Sequence, residues 1–409
     1  MPNEPRIHRR EVRRALRRSN LSGTFVVGRY ALAPYMACGH GCSYCDGRAE
    51  RYWVDGEFDR DIVARRNLPD KLALELPSLR EPGFVTLGSG ITDAYQPVER
   101  RELLTRRCAE ILAEYDYPVT IMTKSSLALR DIDLWKQINA KSRFTCIVSL
   151  VHTDDATRAR FEPGASTVSE RLEMLGAFRE AGCATGVLAM PLLPGVTDDP
   201  GTVGSLYDTL SRTGVDFVVP GGLTLRPGRQ KEFFMEALGE TYPELVPAYV
   251  ELYREERASG VAVKEYTEEL NARLMAENRR TRLPFLVPHR LYTGLLAAYD
   301  EASVLLQHMV ALYEAVGVDA RRLRAATGRY LRHLQARKRD YNRHASWDYR
   351  ELSEELLAPT ILESILENAR LARFLRDVLT GGATFDYVDL ELRPADQTRP
   401  TASTPRSVS

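Results

Sequence analysis

Cys38-Gly39-His40-Gly41-Cys42-Ser43-Tyr44-Cys45 gathers three of the chain's six cysteines into eight residues, in a C-x3-C-x2-C spacing. Three thiolates this close can wrap one face of a cubane, each taking one iron of a 4Fe-4S cluster, and the fourth iron is then left without a protein ligand. An open metal position serves chemistry, whereas a cluster closed by four cysteines carries electrons only. Gly39 and Gly41 are expected to take positive φ and turn their amides toward the sulfides. The competing metal is zinc, with His40 completing a Cys3His set. That ligand set would require His40 to fold back between Cys38 and Cys42.

On either side of this loop the apolar pattern changes character. From Phe25 to about Leu225 short apolar runs alternate with amphipathic stretches, the signature of successive βα units around a parallel sheet. Strands are expected at Phe84 to Leu87, Val119 to Thr123, Phe144 to Ser149, Ala184 to Met190 and Phe217 to Val219, with one more near Ala31. Amphipathic stretches between them run from Glu99 to Glu114, Asp131 to Asn139, Thr167 to Ala181 and Thr202 to Thr213. Six units predict an α/β fold, a partial (β/α)6 TIM-like barrel. After Pro227 long helical periodicity takes over, predicting an all-α C-terminal domain. The expected divisions are a basic N-terminal segment over 1–24, the barrel over 25–230, the helical domain over 231–393 and a disordered Ser/Thr/Pro-rich tail over 394–409. In the first segment Arg9, Arg10, Arg13, Arg14, Arg17 and Arg18 would share one face of a solvated helix.

Across all 409 residues, 56 basic side chains balance 56 acidic ones and 44% of residues are hydrophobic, which excludes intrinsic disorder and a collagen-like or disulfide-dense chain. No apolar run approaches the roughly 18 residues of a membrane span, and Met1 to Arg18 lacks the apolar core of a secretory signal; the cytoplasm is the expected compartment. Zero net charge gives no global case for nucleic acid. Locally, Arg321 to Arg343 carries nine Lys or Arg against Asp340 alone, with Tyr330 and Tyr341 interleaved. Such a helix can grip phosphates and stack bases, or can pair with the acidic run Glu351, Glu354 and Glu355. Cys108, Cys146 and Cys183 read as packing residues. His289, His308, His333 and His344 show no metal-ligand spacing.

Behind the cysteine loop four further segments follow in order: Leu87-Gly88-Ser89-Gly90-Ile91-Thr92-Asp93-Ala94-Tyr95-Gln96-Pro97, Thr123-Lys124-Ser125, Phe161-Glu162-Pro163-Gly164 and Pro191-Leu192-Leu193-Pro194-Gly195. With them the chain, over Arg14 to Arg226, resembles radical S-adenosylmethionine (SAM) enzymes, and more narrowly the spore photoproduct lyase and DNA-repair-photolyase-like branch. The resemblance implies that Cys38, Cys42 and Cys45 ligate a 4Fe-4S cluster and that the open iron chelates SAM. Cleavage of SAM then gives methionine and a 5′-deoxyadenosyl radical that abstracts hydrogen from a substrate. It further implies Tyr44, Ser89, Asp93, Lys124 and Ser149 as SAM contacts, an electron donor such as flavodoxin or ferredoxin, and a nucleic-acid base as substrate. No catalytic residue is assigned. Glu162 and Arg171 are equally explained by a salt bridge at a helix entry and stay outside the site set.

Two departures stand out. Gly90 occupies the position where spore photoproduct lyase carries a hydrogen-donating cysteine, and Asp46-Gly47-Arg48 stands where relatives have Tyr-Ala-Arg. These leave open radical modification of a peptide or small metabolite. A rival of another class is a non-catalytic iron-sulfur or zinc protein that binds partners through its helical domain.

Overall fold

A computed structural model of the chain describes residues 5–21, 26–341, 343 and 348–394. Two compact units emerge: Met1–Arg17 with Ala31–Pro77 and Val85–Phe285, and Arg18–Tyr30 with Ser78–Phe84 and Leu286–Ser409.

The strands of the first unit are β1 (Arg6–Arg10), β2 (Leu16–Arg18), β3 (Tyr30–Leu32), β4 (Tyr35–Met36), β5 (Asp61–Arg65), β6 (Val85–Leu87), β7 (Val119–Thr123), β8 (Phe144–Ser149), β9 (Ala184–Leu192) and β10 (Phe217–Gly222). One sheet has the order β10-β9-β8-β7-β6-β3-β2, with β10 and β2 at its open edges. From β6 to β10 all pairs are parallel, in register Val85 with Val119, Val119 with Phe144, Thr145 with Ala184 and Phe217 with Gly186. Strands covered on both faces should read as unbroken apolar runs. Accordingly, the first five residues of β8 are all buried. Gly186 is obligatory here, because a Cβ on it would lie 2.1 Å from the Phe217 ring.

Between strands run α1 (Leu68–Glu75), α2 (Glu99–Glu102), α3 (Leu104–Glu114), α4 (Ile132–Lys141), α5 (Asp155–Phe161), α6 (Val168–Glu180) and α7 (Pro200–Thr213). Their ends carry the expected signals. Thr167 and Glu170 form a reciprocal capping box on α6, and Gly214 closes α7 at φ 73°. The sheet and its crossovers form a partial (β/α)6 barrel.

The N-terminal arginines do not form a helix. Segment β1 pairs in parallel with β5, which pairs antiparallel with β4. Ile7 packs on the core around Tyr35 and Ile62. The arginines beside it face acids instead, Arg6 to Asp61 and Arg9 to Glu102, both at 2.6 Å. A strand lets Ile7 reach this core while Arg6, on the opposite face, meets Asp61.

Helices α8 (Arg229–Thr241), α9 (Val246–Leu252) and α10 (Lys264–Thr281) belong to the first unit, so its compactness extends to Phe285, past residue 230. Phe234 and Leu238 of α8 and Tyr249 of α9 share a core with Cys42, Tyr44 and Phe161. On α10, Asn278 accepts from the Tyr207 hydroxyl at 2.8 Å and donates to the Leu283 carbonyl at 2.8 Å.

The second unit contains α11 (Ala298–Ala315), α12 (Arg321–Tyr341), α13 (Tyr349–Leu357), α14 (Pro359–Leu366) and α15 (Ala369–Leu379), with a short antiparallel pair β11 (Ala383–Phe385) and β12 (Leu392–Pro394). Its core holds an ionic cluster. Arg29 and Lys338 face Glu81 and Asp300, and the Tyr299 hydroxyl donates to Glu81 at 3.1 Å. The tail expected from Pro394 lies, beyond Pro394 itself, outside the described residues. Among the described residues no helix is long and apolar enough to cross a membrane.

Candidate active site

The cysteine loop follows β4 and is tied down by three distant segments. From the β6 side, Gln96 accepts from the Gly39 amide at 2.8 Å and donates to the Ala37 carbonyl at 3.0 Å, while the Thr92 hydroxyl donates to the same carbonyl at 2.8 Å. From the segment after α5, the Gly164 amide donates to the His40 carbonyl at 2.9 Å, and the Ser43 amide donates to the Phe161 carbonyl at 2.9 Å. From α8, Gln230 donates to the Tyr44 carbonyl at 3.1 Å. Arg48, stacked 3.7 Å over Phe233, donates to the Cys42 and Gly41 carbonyls.

Of the two loop glycines only Gly41 takes positive φ, at 67°. Gly39 stays outside the left-handed region and is used for its amide. Asp46, a departure from the relatives' pattern, accepts from Arg226 at 2.8 Å and from the Tyr52 hydroxyl at 2.7 Å, closing the loop's far end.

Cys38, Cys42 and Cys45 are free of disulfides; Cys38 and Cys42 are buried and Cys45 is half-buried. Burial pushes all three thiols up, Cys42 to about 12. A metal cation reverses that preference and deprotonates its ligands outright. Among the described residues no three His, Cys, Asp or Glu side chains converge on a single ion. A cubane asks for something else, one thiolate per iron around one face. The His40 ring meets a carboxylate, its Nδ1 3.4 Å from Asp93 Oδ2. Three unbridged thiols on one pinned loop therefore fit a cluster, and no Cys3His set converges on one ion among the described residues.

The residues implied as SAM contacts fall into four situations. Tyr44 and Lys124 meet: the ammonium lies 5.7 Å from the Tyr44 ring centroid and 4.0 Å from Glu162. Ser149 ends β8, and its carbonyl accepts from Arg171 at 2.8 Å. Asp93 is a hub whose carboxylate accepts from the Tyr95 amide at 2.7 Å and from the Thr123 hydroxyl and the Lys124 amide at 2.8 Å each. Ser89 makes contacts within its own turn, to Ile91 and Thr92.

What joins Tyr44, Lys124 and Ser149 is the pair left out of the sequence-derived set. Glu162 and Arg171 are both fully buried. Glu162 accepts from Arg171 on one oxygen and from the Tyr44 hydroxyl on the other. Burial alone would raise this carboxyl, but Arg171, then Lys124 and His152, outweigh it and hold it at about 2. A salt bridge it is, yet one that links the cysteine loop, β7 and β8 in a single network. Its signal, Phe161-Glu162-Pro163-Gly164, is visible in the sequence; its burial is not. The sequence also gave no hint of His152, just past β8. It is 1% exposed, its ring stacks on Phe161, and neither ring nitrogen has a hydrogen-bond partner among the described residues.

In the second unit, α12 differs from a helix that stacks bases. Tyr330 is fully buried and donates to the Tyr299 carbonyl, while Tyr341 bonds Glu355. Arg337 pairs with Glu355 at 2.7 Å and Lys338 with Asp300 at 2.9 Å. His289 lies 2.6 Å from Glu301, and His308 bonds Tyr387. His344 lies outside the described residues.

A family model described as the radical SAM superfamily matches residues 32–202. An uncharacterized protein of Mycobacterium tuberculosis is 33% identical over 257 residues, 61% of this chain and 75% of the relative. Another, from Methanocaldococcus jannaschii, is 26% identical over 219 residues, 53% of this chain and 77% of the relative. Among solved structures, spore photoproduct lyase complexed with dinucleoside spore photoproduct aligns at 17% identity with a TM-score of 0.49, covering 67% of this chain and 79% of that one. The family match encloses the cysteine loop, the Glu162 segment and every strand from β4 to β9, and the chain belongs to the radical SAM superfamily of enzymes.

Proposed function

We propose that Cys38, Cys42 and Cys45 hold a 4Fe-4S cluster through three of its irons and that the enzyme cleaves SAM reductively, with a nucleic-acid base as the substrate of the radical. The observation that carries this is the single loop of three unbridged thiols, pinned from three sides, with His40 committed to Asp93. With cluster and SAM bound, one electron from a donor such as flavodoxin or ferredoxin yields methionine and a 5′-deoxyadenosyl radical.

The chain's own residues bind and orient. Lys124 offers its ammonium to the SAM carboxylate, and Tyr44 packs beside it under the loop. Asp93 acts as a positioning residue, since its oxygens are already taken by the β7 end and by His40. Ser89 and Ser149 supply hydroxyls at the ends of β6 and β8. Glu162 with Arg171 fixes Tyr44 and Lys124 relative to one another.

Anaerobic reconstitution with iron, sulfide, SAM and dithionite tests the chemistry. The expected result is brown protein that forms 5′-deoxyadenosine, against none with Cys42→Ala. Colourless, iron-free protein, or equal 5′-deoxyadenosine from both, overturns it. The substrate class is tested by adding oligonucleotides to SAM deuterated at C5′; deuterium exchange confined to added peptide overturns the nucleic-acid assignment.

A further inference from the structure

On α12 an open cleft of about 450 Å3 is lined by Arg321, Arg324, Ala325, Gly328, Arg329 and Arg332. Four guanidinium groups ring a floor made of a methyl group and a bare backbone. From Arg321 to Arg332 the helix rises about 16 Å, enough to follow several successive phosphates of one strand at about 3.4 Å per nucleotide.

Gly328 is the informative residue. A glycine inside a helix costs about 1 kcal/mol relative to alanine. Nothing in the packing requires one here: a Cβ at 328 would meet only the guanidinium end of Arg332, at 3.3 Å, which can swing aside. Keeping that floor bare leaves room for a group to reach the helix between the arginines.

The charge is also available. Arg321 leans on exposed Asp319 and Arg324 on Glu314, pairs in high dielectric that exchange readily, whereas Arg329 also donates to the Ile365 and Leu366 carbonyls and serves as a fixed edge of the cleft. Arg332 has no ion-pair partner among the described residues. Arg337 and Lys338, by contrast, are engaged with Glu355 and the buried Asp300 and take no part.

We propose that the Arg321–Arg332 cleft binds the phosphodiester backbone of nucleic acid, as a site separate from the cysteine loop. Planar guanidinium groups match phosphate oxygens two at a time. Such a site grips without reading sequence, because backbone contacts position a strand and carry no base information. With Tyr330 buried and Tyr341 hydrogen-bonded to Glu355, neither tyrosine of α12 is offered for stacking. The inference rests on the nucleic-acid substrate reading above.

The test uses the full reconstituted chain and fluorescence anisotropy with a labelled mixed-sequence oligonucleotide, single-stranded and duplex, across a salt series. Arg321→Gln/Arg324→Gln/Arg332→Gln should weaken binding about ten- to hundredfold at 0.1 M salt and flatten the log K against log salt slope by about two to three. Gly328→Leu, which fills the floor and favours helix, should weaken binding at least several-fold with the charge unchanged. Arg254→Gln/Arg257→Gln on the first unit should bind as the parent does. Parent-like binding by both cleft variants overturns the proposal, as does a parent that binds neither oligonucleotide. Formation of 5′-deoxyadenosine, measured on the same samples without oligonucleotide, reports the radical chemistry independently. The cleft can thus fail while that chemistry stands.

Discussion

Removing the Arg171 guanidinium is the sharpest test of how the cysteine loop is held. Arg171→Met keeps most of the side-chain volume and deletes one charge from a pair in which neither side chain is exposed. Glu162 then keeps the Tyr44 hydroxyl and Lys124, whose ammonium stands off at 4.0 Å, while the Ser166 and Ser149 carbonyls each lose a donor. Stranding one partner of a buried ion pair costs about 3–5 kcal/mol. For a unit of this size that lowers Tm by roughly 6–10 °C. The fluorescence of Trp135, fully buried and stacked on Phe144 at 4.8 Å, reports unfolding of this unit directly. Glu162→Gln combined with Arg171→Met removes both charges and should recover more than half of the loss. A single variant that loses under about 1 kcal/mol, or a double variant no better than the single, would refute the claim that this pair is what secures the loop.

Three further outcomes follow from the same geometry. Gly164→Ala should cut the iron bound per chain after reconstitution, because its Cβ would lie 2.6 Å from the Gly39 carbonyl and 2.9 Å from His40 Cα; Gly90→Ala and Gly90→Cys, with nothing within 4 Å, should load iron as the parent does. Burial pushes His152 down to about 4, against 6.5 for the ordinary imidazole, so the unfolded chain takes up the proton first. Its contribution is whole above about pH 6.5 and falls by about 3 kcal/mol as pH drops to 4; urea melts of His152→Phe against the parent should show that difference, and parallel pH profiles would contradict it. In the second unit, Asp300→Ala leaves Arg29 and Lys338 facing Glu81 with one carboxylate fewer and should cost about 3–5 kcal/mol in the unfolding of that unit, read by far-UV circular dichroism.

Strands β7 and β8 were legible to the residue, since each is a short run rich in β-branched and apolar residues that is buried along nearly its whole length. The run from Glu99 to Glu114 was read as one amphipathic stretch and is two helices, broken at Leu103 with φ 54°, a backbone choice its side chain does not announce. The N-terminal arginines misled because a basic run at helical spacing looks the same whether its acids lie on the helix or, like Asp61 and Glu102, far along the chain. Helices α8 to α10 carry helical periodicity like those after Leu286, and only contacts such as Phe234 with Phe161 reveal that they belong with the sheet. The cysteine loop was the most legible part of the site, since its three thiols are neighbours in sequence. Glu162 and His152 were the least, because burial is a property of the assembled fold.

The clasp on the cysteine loop has a temporal side. Gly39 is held by a residue 57 positions downstream, Tyr44 by one at 118 and by another at 186. At synthesis, the thiols emerge long before Gln96, Glu162 and Gln230 exist to shape the backbone around them. Metal captured by the nascent thiols would meet an unformed cradle, so a cluster held as proposed above would find its full set of tethers only once translation has passed α8.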